Sequence, residues 1–89
     1  MVEVKNIHGS TDNEPKGYNS WKDFWEAQTG RRFVLCSCKT CFNPATVGAH
    51  VMKANSDSRK WYIVPLCDGC NHEENVFSVH ENDLVPVNP

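Results

Sequence analysis

Cysteines at positions 36, 38, 41, 67 and 70 are the side chains of this chain best suited to chemistry. Four of them make two C-x2-C pairs, Cys38-Lys39-Thr40-Cys41 and Cys67-Asp68-Gly69-Cys70, with 25 residues between the pairs. Each pair can form a tight turn that aims two sulfurs at one point, and two such turns complete a tetrahedron of soft thiolates. Zinc suits that donor set, with no position left open for a substrate. The expectation is one structural zinc ion on Cys38, Cys41, Cys67 and Cys70. Cys36 is left over: it follows the apolar run Phe33-Val34-Leu35 and reads as a small buried hydrophobe. The alternative is an exchange in which Cys36 replaces Cys38 as ligand. An odd cysteine count and the lack of a basic-then-apolar leader speak against a disulfide framework and for a cytoplasmic setting. Iron also accepts four thiolates, so a rubredoxin-like electron carrier is a competing reading.

Charge supplies the second set of candidates. The formal net charge is −2, unevenly placed. Residues 31–60 carry Arg31, Arg32, Lys39, Lys53, Arg59 and Lys60 against Asp57 alone, whereas residues 61–89 carry five acids and no lysine or arginine. The basic stretch can meet phosphate, which makes DNA or RNA a candidate partner. A solvated surface balanced by the acidic C-terminal third, or a protein partner, are the other readings. No apolar run reaches the roughly 20 residues that span a bilayer, and no membrane partner is expected.

These residues must be positioned by a chain of only 89 residues, enough for one domain but short of the burial that makes a domain secure without a staple. Residues 1–19 read as a loose or extended lead-in, with Val2 and Val4 alternating with Glu3 and Lys5 and a loop from Gly9 to Asn19. The single domain then occupies residues 20–89. Its clearest element is a helix over 20–29. Ser20 is a good N-cap with Asp23 three residues on, Trp21, Phe24 and Trp25 share a face, and Gly30 ends it. Three aromatics on one stripe are read as core rather than as a stacking surface. A strand from Arg31 to Cys38 enters the first knuckle. Residues 45–52 and 61–64 form a hairpin around a polar loop at 54–60. The second knuckle opens a short helix from Asn71 to about Phe77, and the tail returns in extended form.

The order knuckle, β-hairpin, knuckle, helix is that of a treble-clef zinc finger. The fold class is therefore α+β: a small zinc-stabilised treble clef with an amphipathic N-terminal helix packed on it. Over residues 36–75 the chain resembles the HNH endonuclease superfamily, through Cys38-x2-Cys41, Gly48-Ala49-His50-Val51 and Ile63-Val64-Pro65-Leu66-Cys67-x2-Cys70-Asn71. That resemblance implies cleavage of DNA with a divalent cation, His50 as the general base that activates water, and Asn71 with His72 as ligands of a second, catalytic cation. The pattern departs at three positions: Ala49 stands where the family has a metal-binding aspartate or histidine, Tyr62 where an asparagine is common, and Glu74 where a basic residue often lies. Phosphodiester cleavage needs a cation as well as a base. The expected function is accordingly a structural zinc module, a degenerate HNH-like domain that binds nucleic acid or protein. The alternative is an active metal-dependent endonuclease using His50. His8 and His80 lie outside the motif and read as exposed residues.

Overall fold

Alternation of apolar and polar residues builds a sheet with two useful faces. A computed structural model of the chain describes residues 1–7, 15–39, 41–55 and 60–87. Its strands are β1 (Val2–Asn6), β2 (Val47–Lys53), β3 (Tyr62–Leu66), β4 (Phe77–Val79) and β5 (Val85–Pro86), joined in one antiparallel sheet of order β4-β1-β2-β3-β5. Two helices accompany it, α1 (Trp21–Thr29) and the single turn α2 (Asp68–Asn71), with a 3-10 turn over Glu81–Asp83. The central hairpin pairs Ala49 with Val64 and His50 with Ile63. Val4, Ala49, Val51, Val64, Leu66 and Val79 thus face one side, where they pack with Cys36 and Cys67. Ile63 and Val85 face the other, where they meet Trp25 and Phe33. The class is small α+β, with the cysteine-rich segments on one face of the sheet and α1 on the other.

Local sequence explains α1. Ser20 is extended, and its hydroxyl accepts from the Asp23 N–H at 3.1 Å. Gly30 takes the left-handed conformation at φ 68 and donates to the Glu26 carbonyl at 2.9 Å, a conformation that costs glycine little. Trp25 is the helix's anchor, 2% exposed, and its indole N–H is satisfied by the Asp83 carbonyl at 2.8 Å. Arg31 fastens the same junction: it pairs with Asp83 at 2.9 Å, donates to the Asn82 carbonyl and covers the Trp25 ring. Gly48 lets the helix approach β2, because a Cβ there would sit 2.7 Å from the Trp21 Cβ.

Residues 2–6, within the lead-in read as loose or extended, are the strand β1, second from the sheet edge and paired on both sides, with Val4 fully buried. Two expectations change. Residues 31–38 do not form a strand; the segment makes isolated bridges at Leu35 and Cys38. The helix expected over 71–77 is instead the one turn at Asp68–Asn71, and Phe77 belongs to β4. His8, Arg59 and parts of the two loops expected at 9–19 and 54–60 lie outside the described residues. No helix among the described residues is long and apolar enough to cross a membrane.

Candidate metal centre

The sulfurs of Cys36, Cys41, Cys67 and Cys70 all lie within 4.8 Å of one another. Cys41 and Cys67 are 3.6 Å apart, close to the edge of about 3.8 Å that a tetrahedron of thiolates has when each metal–sulfur bond is about 2.3 Å. Among the described residues this is the one group of three or more Cys, His, Asp or Glu side chains arranged to hold an ion. The donor set, four thiols and no oxygen or nitrogen, fits a soft or borderline cation in a closed structural site.

Each of the four cysteines is placed by backbone contacts. The Cys36 N–H donates to the Asn43 carbonyl at 3.0 Å, and the Ser37 N–H to the Pro65 carbonyl of β3 at 2.8 Å. These two bonds lay the 34–45 arm against the sheet and turn Cys36 inward, where it is 5% exposed. A tight turn carries Cys41, its N–H donating to the Cys38 carbonyl at 3.1 Å. Cys67 caps α2: its sulfur accepts from the Cys70 N–H at 3.4 Å and its carbonyl from the Asn71 N–H at 3.0 Å. Asn6 at the end of β1 secures the other end of that turn, donating from Nδ2 to the Cys70 and Glu73 carbonyls. Its buried Oδ1 has no donor among the described residues.

The group of four that lies together differs from the expected ligand set in one member. Cys36 joins Cys41, Cys67 and Cys70, and Cys38 does not. The reason is non-local. The C-x2-C spacing describes the turn alone, whereas the pairing of Cys36 with Asn43 and its burial beside Cys67, Val64 and Leu66 bring the more distant thiol to the centre. Cys38 stays beside the cluster, half-buried, its thiol in contact with those of Cys36 and Cys70. The exchange that the sequence leaves open, Cys36 in place of Cys38, is the one whose sulfurs lie close together.

Protonation follows from the surroundings. The hydrogen bond from the Cys70 N–H draws the Cys67 thiol down to about 7, while burial pushes Cys36 up to about 11 and Cys38 and Cys70 upward as well. Thiols held neutral by burial are made thiolates by a bound divalent cation, which inverts the local balance. All five cysteines are free of disulfides.

The other candidate residues fall elsewhere. His50 lies on the α1 face of β2, so it points away from the cysteine-lined core. It is 5% exposed, with its ring against Trp21 at 4.6 Å and Trp61 at 5.9 Å between centroids, and burial lowers its pKa. Asn71 and His72 reach the same cleft as His50, a recess of about 380 Å³ between α1, β2 and α2. His72 is engaged by Asp68 at 3.4 Å on the exposed side of α2. The expected basic surface is dispersed. Arg31 is tied to Asp83, Lys53 lies over the Tyr62 ring at the far end of β2, Lys39 follows the first knuckle, and Arg32, Lys39 and Lys60 are exposed. Sequence reasoning missed the roles of Asp83 and Asn6. Both act through backbone carbonyls and contacts far along the chain, which leave no local signal.

Comparison of the chain with protein-family models, curated proteins and solved structures finds no match.

Proposed function

We propose that this chain is a structural zinc module of the treble-clef type, with Cys36, Cys41, Cys67 and Cys70 as the four ligands, acting by binding rather than by catalysis. The observation that carries this reading is the closeness of four sulfurs drawn from two distant segments. Zinc is the proposed ion because it commonly fills closed four-thiolate structural sites; an iron–thiolate protein would be coloured. Five free cysteines suit a reducing, cytoplasmic setting. Its partner is nucleic acid or protein, and exposed Arg32, Lys39 and Lys60 are the cations available to phosphate.

The HNH-like alternative asks for more than His50. A catalytic cation needs hard or imidazole ligands beside the base, and no aspartate or glutamate among the described residues lines the cleft that holds His50. This supports a degenerate, non-cleaving member of that resemblance. Metal content of the purified chain tests the zinc reading. One colourless zinc per chain is expected, retained in Cys38→Ser and lost in Cys36→Ser. The reverse pattern, or no metal at all, refutes it. In the same preparation, plasmid DNA with magnesium, manganese or nickel is expected to stay intact; nicking that disappears in His50→Ala would establish the nuclease instead.

A further inference from the structure

We propose that the outer face of the 34–45 arm, together with the turn at 73–76, is the contact through which two copies of this chain form a twofold-symmetric dimer. The inference goes beyond the zinc reading and holds whichever ion fills the centre. Three observations carry it.

The first is an apolar stripe. Leu35 and Pro44 sit opposite each other across the arm, held by bonds from the Cys36 N–H to the Asn43 carbonyl and from the Ala45 N–H to the Val34 carbonyl. Cys36 is buried in the core, so the alternation of side chains along the arm sends Leu35 outward. Phe42, two residues before Pro44, falls on the same face. Leu35 is 57% exposed and Phe42 84%. Pro44 is exposed as well. A single exposed apolar side chain is ordinary, whereas a row of them on one short arm marks a contact surface.

The second is the segment beside the arm. The Lys39 N–H donates to the Ser78 carbonyl at 2.9 Å, and the Cys41 and Cys70 thiols share the sulfur cluster. The turn that follows α2 therefore lies next to the tip of the arm. It exposes one more large apolar side chain, Val76, directly after the exposed acids Glu73 and Glu74 and Asn75.

The third is charge. Residues 32–46 contain no aspartate or glutamate, and Arg32 and Lys39 are exposed there. Among the described residues no ion pair engages Arg32, Lys39 or Glu74. Opposite charges thus stand on neighbouring segments without pairing within the chain. A second copy turned about a twofold axis completes both: stripe meets stripe, and Lys39 of each copy meets Glu74 of the other. A nucleic acid would meet the two cations but be repelled by the adjacent glutamates, whereas the charge that complements this surface is already present on the chain itself. The patch is far smaller than the roughly 20–30 residues a side of a standard interface, so the dimer is weak, with a dissociation constant on the order of 100 μM.

The test is sedimentation equilibrium of the zinc-loaded full chain over concentrations that bracket this value, with amide NMR shifts followed over the same range. A monomer–dimer equilibrium is expected, with the concentration-dependent shifts at Leu35, Phe42 and Val76. Phe42→Ser, at an exposed position, is expected to weaken the dimer about tenfold. Lys39→Glu and Glu74→Lys are each expected to weaken it about fivefold, and the two combined in one chain to recover most of that loss. Zinc content is measured on every sample, so loss of the metal centre is not mistaken for loss of the contact. A monomer at every concentration, a dimer untouched by Phe42→Ser, or a charge-swapped double variant no tighter than the single ones would overturn the proposal. So would a monomer whose Leu35 and Phe42 amides shift saturably with a single-stranded oligonucleotide, which would give the arm to nucleic acid instead.

Discussion

His50 shows how one residue's surroundings set its chemistry. Burial between two tryptophans lowers its pKa from the ordinary 6.5, so the folded protein holds the ring neutral. As pH falls, the unfolded chain takes up the proton first. Stability is therefore full above about pH 6.5 and is lost as pH drops toward the folded-state pKa, the direction set by the greater proton binding of the unfolded state. In excess zinc, the urea midpoint of the parent chain is expected to fall more between about pH 7 and about pH 5 than that of His50→Gln, which lacks this titration. Equal slopes would show that His50 is not buried as described. The cysteines teach a second lesson at this scale. That Cys67 and Cys70 lie together is legible in the sequence, because the turn that joins them is local. The choice of Cys36 over Cys38 is not, because it depends on the Asn43 and Pro65 carbonyls that lay the 34–45 arm on the sheet.

Among the elements, α1 is the one whose bounds are plain from residue types. Ser20, the aromatic stripe and Gly30 act within the helix itself, and the structure adds only the face they bury. The place of strand β1 in the sheet is not local information, since five residues of alternating pattern do not say which neighbours they pair with. Its position between β2 and β4 is decided by segments some fifty and seventy residues along the chain. Packing of α1 on β2 rests on Gly48, where an added Cβ would meet the Trp21 Cβ at 2.7 Å and its backbone at 3.0 Å. Backbone cannot give way as a side-chain tip can. Gly48→Ala is expected to destabilise the fold by about 1–3 kcal/mol, the usual cost of overpacking, measured by urea unfolding of the zinc-loaded chain. A change near zero would mean that α1 does not sit against β2 there.

For the whole molecule, the sheet is thin and each face is covered by little: α1 on one side, the cysteine-bearing segments on the other. A domain of this size commonly has a net stability of about 5–13 kcal/mol. The proposed zinc ion would contribute on the order of 10–16 kcal/mol of folding free energy, enough to decide whether the cysteine layer holds. Addition of a strong chelator is expected to abolish the cooperative thermal transition, as followed by circular dichroism, and added zinc to restore it. An unchanged transition would place the stability in the sheet and α1 alone. The same group of sulfurs brings the arm before β2 together with the turn after β3, two segments separated along the chain by the β2–β3 hairpin. X-ray absorption at the zinc edge of the purified chain reads that junction directly. The account predicts four sulfur neighbours at about 2.3 Å and no lighter atoms in the shell, and a shell containing nitrogen or oxygen would contradict it.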